Sequence, residues 1–274
     1  FDKYGMGRST IITLHNSFHG RTITTLQATG QDVFHQYFFP FTEGFRYADA
    51  NDLDSVKAQA DDTTCAVMLE LIQGEGGVLP LDKDFIQSLA AWCKENDYLL
   101  LVDEVQTGVG RTGSLFCFQQ YDIQPDAVTF AKGIAGGLPM AGVMCNEKCR
   151  TVLGPGTHAT TFGGNPIAAA GANVVLDELD DAMLAEVNQK GEYLKSAIAA
   201  FDSPYVDTVR GMGLMIGIVL KEGVDRSALV KALYDHNLLV LTAGPKTIRL
   251  LPPLVISQEE MDTGLAALKD VLVP

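Results

Sequence analysis

No apolar run in these 274 residues approaches the ~18–20 residues of a membrane span, so no transmembrane helix is expected. Positive charge is scarce: 20 Lys and Arg against 34 Asp and Glu leave a net charge of −14. That deficit argues against a surface built for nucleic acid or an anionic membrane, since both need concentrated positive charge. It still admits small anionic substrates, which one or two placed arginines can hold. The G-x-S-x-G and G-x-x-x-x-G-K-[ST] patterns are absent, which removes the serine-hydrolase and Walker classes. The start, Phe1-Asp-Lys-Tyr, has the pattern of neither a signal peptide nor a transit peptide and no initiator Met. It reads as the interior of a longer protein, truncated at its N-terminus. Cysteine is sparse and odd in number: Cys65, Cys93, Cys117, Cys145 and Cys149. Spread through apolar segments, they read as reduced, buried thiols of a cytoplasmic protein. Cys145 and Cys149 have no second Cys/His pair at finger-like spacing, so no metal is expected.

What is present is the composition of an ordinary soluble enzyme, 47% apolar and 20% charged. Apolar strand-like runs alternate with amphipathic stretches. Strands are expected at 11–14, 65–72, 99–102, 127–130 and 141–144, and helices at 52–60 and at 82–96 with Asp82 as cap. Near-continuous apolar strands between helices indicate an α/β fold with a mainly parallel sheet covered on both faces. From 165 to about 194 one long helical region is expected. Beyond it, 206–220 reads as a glycine-turned hairpin, 227–236 as a helix, 238–241 and 248–251 as strands. Residues 257–271 read as a closing helix, with Ser257 opening a near capping box. The division expected is a large domain over 1–185 and a smaller C-terminal α/β domain over 186–274.

Two segments carry chemistry. Leu99-Leu-Leu-Val-Asp103-Glu104 places an acid at the end of an apolar strand, and Phe130-Ala-Lys132-Gly places a lysine in a small-residue loop after the next one. Ligands of such sheets bind beyond the carboxyl ends of the strands, where Glu70 also falls. Pyridoxal 5'-phosphate needs this pairing. A lysine amine condenses with its aldehyde, and a carboxylate keeps its ring nitrogen protonated so that the ring draws electrons. Two adjacent acids at a buried strand end also call for a cationic partner. Gly108-Val-Gly110-Arg-Thr-Gly113 matches G-x-G-x-x-G, but a dinucleotide fingerprint sits directly at the strand–helix turn. Here two carboxylates come first and would repel a pyrophosphate.

These segments resemble the class III (omega-amino acid) aminotransferases, most closely their acetylornithine branch. The resemblance implies the type I pyridoxal-phosphate transferase fold, with Lys132 and Asp103 catalytic and Gln106 near the cofactor phenolate oxygen. In Asn16-Ser-Phe18-His19-Gly-Arg21-Thr it implies an aromatic, Phe18, stacked on the ring, and Arg21 holding the substrate carboxylate. Glu70-Leu-Ile-Gln-Gly-Glu75-Gly-Gly77 is similar to the family's E-P-x-Q-G-E-x-G, with Leu71 in place of proline. There Glu75 would pair with Arg249 and gate which carboxylate enters. Thr161, in a turn before a helix, would reach the cofactor phosphate of a neighbouring subunit, which implies a homodimer with shared active sites. The reaction implied passes the terminal amine of N-acetylornithine, or a close omega-amino acid, to 2-oxoglutarate, as in arginine biosynthesis. The alternatives are another class III activity, on ornithine, succinylornithine or gamma-aminobutyrate, or an inactive fragment.

Overall fold

A computed structural model describes residues 7–273; the Phe1-Asp-Lys-Tyr start lies outside the described residues. In chain order the elements are β1 (Thr10–Leu14), α1 (Ile23–Ala28), β2 (Phe45–Ala48), α2 (Leu53–Ala58), β3 (Thr64–Leu69), β4 (Ile72–Gln73), β5 (Leu79–Pro80), α3 (Lys83–Glu95), β6 (Leu99–Asp103), β7 (Ala127–Phe130) and β8 (Gly142–Cys145). There follow α4 (Pro166–Glu178), α5 (Asp181–Ala199), β9 (Val206–Met212), β10 (Met215–Leu220), α6 (Arg226–Asp235), β11 (Leu241–Ala243), β12 (Thr247–Leu250) and α7 (Gln258–Leu272). They form two units. The first takes the chain up to Leu71, Leu81–Val109 and Phe116–Glu178; the second takes Ile72–Pro80, Gly110–Leu115 and the chain from Leu179 onward.

The first unit is built on a six-stranded sheet of order β2-β1-β3-β6-β7-β8. Its five leading strands run parallel. Ile12, Leu14, Val67, Leu69, Leu100 and Val102 are buried, which is why these strands read as apolar runs. In α3, Phe85, Ile86, Leu89 and Cys93 form the inward stripe. Asp82 occupies its N-cap position without a side-chain capping bond. Asp52 caps α2 by accepting from the Ser55 N–H at 2.9 Å.

β8 departs from the parallel expectation. It pairs antiparallel with β7 and ends the sheet, leaving Val143 64% exposed. The expectation of five buried thiols is corrected on the same ground. Cys145, on this edge strand, is exposed, Cys65 and Cys149 are half-buried, and only Cys93 and Cys117 are buried. Burial pushes the Cys93 thiol up to about 12, which leaves it chemically inert.

The second unit carries an antiparallel sheet of order β11-β12-β10-β9 and the short β4–β5 hairpin. Its core joins Ile216, Ile218 and Ile248 of the sheet to Leu194 of α5, Leu233 of α6 and Leu268 of α7. The expected glycine-turned hairpin is β9–β10, and Gly213 turns it at φ 51°. The helical stretch from 165 is two helices rather than one. It breaks at Leu179-Asp180, and Asp180 opens α5 by accepting from the Met183 N–H at 2.8 Å. The strand expected at 238–241 begins only at Leu241, because the Leu238 N–H still bonds Leu233 O at the end of α6. At α7 the Ser257–Glu260 capping box is complete. No helix among the described residues is long and apolar enough to cross a membrane.

Candidate active site

In the first unit β1, β3, β6 and β7 are parallel neighbours, so their carboxyl ends share one side of the sheet. Each end delivers a polar group. The loop Asn16–His19 follows β1, Glu70 follows β3, Asp103 ends β6 and Lys132 lies just past β7. Hydrogen bonds tie this row together. The Phe18 N–H donates to Glu70 Oε2 at 2.8 Å. His19 Nδ1 stands 2.9 Å from Asp103 Oδ2. Asp103 Oδ1 accepts from the Val105 N–H and from the Thr129 hydroxyl, each at 3.1 Å, and Thr129 is its register partner on β7.

The His19–Asp103 contact is enclosed, with side chains 0% and 8% exposed. The Thr29 hydroxyl fixes the His19 backbone by accepting its N–H at 2.9 Å. His19 Nε2 is buried and has no hydrogen-bond partner among the described residues. Glu104 turns the other way. Fully buried, it accepts from the Thr107 hydroxyl at 2.5 Å and the Phe118 N–H at 2.8 Å. Burial pushes its carboxyl above the usual range in spite of these donors. The two adjacent acids therefore divide: Asp103 joins the row and Glu104 organises the loop behind it.

Lys132 is exposed and opens a one-turn 3-10 helix, Lys132–Ala135. Its φ of 49° lies in the left-handed region, which costs a side-chain-bearing residue ~1–2 kcal/mol and recurs where function demands a fixed geometry. Gln106 is half-buried in the turn that follows Asp103. Phe18 meets Phe34 edge-on, with ring centroids 5.6 Å apart. The Arg21 guanidinium lies over both rings, 5.4 Å from Phe18 and 4.4 Å from Phe34. Thr161 is exposed in the turn before α4, where Asn165 Oδ1 accepts from the Ile167 N–H at 2.9 Å.

The donor set fits pyridoxal 5'-phosphate. A carboxylate held by three donors can keep its orientation toward a protonated ring nitrogen. An exposed amine lies past the neighbouring strand, and an aromatic lies past β1 in the same row.

The second unit holds Glu75 and Arg249. Arg249 Nη1 donates to Glu75 Oε1 at 2.7 Å, with side chains 6% and 30% exposed for Arg249 and Glu75. Arg111, on the glycine-rich loop, is lowered to about 10 by burial. It donates to Leu214 O at 3.0 Å and Pro252 O at 2.6 Å. The glycines around it serve packing between protein segments. A Cβ on Gly110 would stand 2.7 Å from Leu179, and one on Gly113 would overlap Asn188. No α-helix follows this loop directly, only the 3-10 turn Cys117–Tyr121, so the dinucleotide geometry is not formed.

Sequence reasoning assigned no role to His19, Thr129, Phe34 or Arg210. His19 lay inside a motif already singled out; the other three carried no local signal.

Residues 2–272 match the family described as aminotransferase class-III. The acetylornithine aminotransferase of Haemophilus ducreyi is 48% identical over 272 residues, covering 99% of this chain and 68% of that protein. The solved N-acetylornithine aminotransferase of Stenotrophomonas maltophilia is 36% identical with a TM-score of 0.81, covering 97% of this chain and 66% of that one. The solved ornithine aminotransferase of Toxoplasma gondii is 30% identical with a TM-score of 0.90, covering 96% of this chain and 64% of that one. The chain thus spans 64–68% of the length of these relatives.

Proposed function

Because this chain belongs to the class III aminotransferases, we propose that it passes the terminal amine of N-acetylornithine, or of a close omega-amino acid, to 2-oxoglutarate, giving a semialdehyde and glutamate. The observation that carries the reading is the row at the carboxyl ends of four parallel strands, with Asp103 locked by His19 and Thr129 and Lys132 past the adjacent strand. Such a reaction serves arginine biosynthesis, which this reading places in the cytoplasm.

The cofactor, when bound, supplies an electron sink for charge that develops at the amine-bearing carbon. Asp103, its carboxylate torsion fixed by three donors, would hold the protonated ring nitrogen. Phe18 offers a stacking face. Lys132 Nζ removes the proton from the amine-bearing carbon and returns one to complete each half-reaction. Arg21 binds the substrate carboxylate that lies away from the reacting amine, a role its fork geometry suits. Glu75 on Arg249 closes the second carboxylate position to omega-amino substrates; when Glu75 turns away, Arg249 accepts the alpha-carboxylate of glutamate.

In a homodimer Thr161 would hold the phosphate of the neighbouring subunit's cofactor. Supporting this, α4 turns Ile167 and Val174 outward, 69% and 60% exposed, while its buried positions are Ala168 and Ala172. Val143 on β8 and Phe162 add to that exposed apolar surface.

Incubation with pyridoxal phosphate, borohydride reduction and peptide mapping test the reading. A single adduct at Lys132 is expected, followed by amine transfer from N-acetylornithine seen in the cofactor spectrum. Scattered lysine labelling, or no transfer from acetylornithine, ornithine or gamma-aminobutyrate, would overturn it.

A further inference from the structure

We infer that Arg210 is a positioning residue for the Glu75–Arg249 pair: it pins the backbone that carries Glu75, so Glu75 leaves Arg249 by side-chain rotation over a fixed loop. The specificity consequence rests on the roles proposed above for Glu75 and Arg249.

Arg210, Gly217 and Arg249 are direct register partners across β9, β10 and β12. Directly opposed residues of antiparallel strands project to one face, so two arginines flank a glycine in a single row. The loop between β4 and β5 lies over that row. A Cβ on Gly217 would stand 2.8 Å from the Cβ of Val78, so the bare glycine makes room for the fully buried Val78. On one side of Val78, Arg249 holds the Glu75 carboxylate at 2.7 Å. On the other, Arg210 Nη2 donates to Gly77 O at 2.7 Å.

The loop backbone is held at further points. The Gly244 N–H donates to Glu75 O at 2.7 Å, and the Val78 N–H to Gly74 O at 3.3 Å. Gly244 approaches so closely that a Cβ there would stand 2.4 Å from Gly76 O. Thus the carbonyls of Glu75 and Gly77 are both occupied, and a Glu75 carboxylate that leaves Arg249 turns about its side-chain torsions. Its 30% exposure, against 6% for Arg249, gives it space to do so.

Arg210 feels the Asp207 carboxylate only at a distance. It enters no ion pair among the described residues, its Nε is buried without a partner, and burial lowers its pKa. A half-buried guanidinium whose hydrogen bond goes to a backbone carbonyl is a costly arrangement for packing alone. Two arginines in one row also provide positive charge that draws an incoming carboxylate once Glu75 turns away.

Arg210→Met in the holoenzyme separates these roles. Deuterium exchange through 74–78 should accelerate. The ratio of kcat/KM for N-acetylornithine over glutamate should shift toward glutamate by about tenfold, the equivalent of one hydrogen bond made by a charged group. KM should carry the change, with kcat and the cofactor spectrum held. Glu75→Ala/Arg210→Met should shift the ratio no further than Glu75→Ala, since the pin acts through Glu75. Arg210→Lys, which keeps a charged donor, should restore both readouts and serves if Arg210→Met does not fold. Unchanged exchange at 74–78 overturns the pin whatever the kinetics show. Faster exchange with equal losses for both substrates, or additive effects in the double variant, overturns the specificity role. A Glu75→Ala ratio equal to the parent's would instead refute the Glu75–Arg249 gate, and the exchange result would still decide the pin.

Discussion

His19→Phe is the sharpest probe of the strand-end row, because two effects of similar size oppose each other. The substitution keeps a planar ring in a fully buried site and removes the Nδ1 contact to Asp103 Oδ2. A hydrogen bond to a charged group is worth ~1.5–3 kcal/mol. The parent, however, also carries a buried, unpartnered Nε2, a liability of ~1–3 kcal/mol that Phe removes. The two nearly cancel, so the cofactor-free protein should lose no more than about 1 kcal/mol in urea unfolding. Cofactor affinity should respond differently. Val105 and Thr129 still hold Asp103 Oδ1, but nothing fixes Oδ2, and the carboxylate can rotate. An approximately tenfold weaker dissociation constant is expected, about 1.4 kcal/mol, in a spectroscopic titration with pyridoxal phosphate. His19→Asn should recover much of that affinity, since its amide can donate where Nδ1 did. Affinity within about twofold of the parent, together with a stability loss of several kcal/mol, would show His19 to be a packing residue and refute the argument.

Two further substitutions test neighbouring claims. Gly244→Ala should destabilise by about 2 kcal/mol, half from its positive φ and half from losing the Glu75 contact, and should shift substrate preference as Arg210→Met does; parent-like urea midpoints would contradict the close approach. Glu104 has its folded carboxyl raised by burial, so the folded state binds its proton more tightly than the unfolded state. Its contribution is therefore full at low pH and declines as pH rises from the ordinary carboxyl value through the raised one. The stability of the parent minus that of Glu104→Gln should fall as pH rises above the ordinary carboxyl value of about 4.3, and a rising difference in urea unfolding would reverse the assignment.

Local signals explain what the sequence disclosed. Asp103 and Lys132 follow apolar runs, and a buried parallel strand announces itself within a few residues. The antiparallel direction of β8 depends on its neighbour, which no local pattern encodes. β4 and β5 have two residues each, too few to show alternation. The break between α4 and α5 was hidden because Leu179-Asp180 interrupts neither the apolar spacing nor the acidic composition. The His19–Asp103 contact spans 84 residues and the Arg210–Gly77 contact 133, so both required the fold.

Glu75 and Arg249 are 174 residues apart in the chain. On a ribosome adding ~5–20 residues per second, roughly 9–35 s separate the emergence of the two. Until β9 and β10 emerge the β4–β5 hairpin has no sheet to lie on, and Ile72 and Val78, both buried in the finished fold, stay uncovered. A pairing this distant in sequence is reached late, after the loop-closure entropy has been met. The Glu75–Arg249 contact is thus among the last to be assembled. The nascent chain meanwhile presents a short apolar hairpin of the kind chaperones hold.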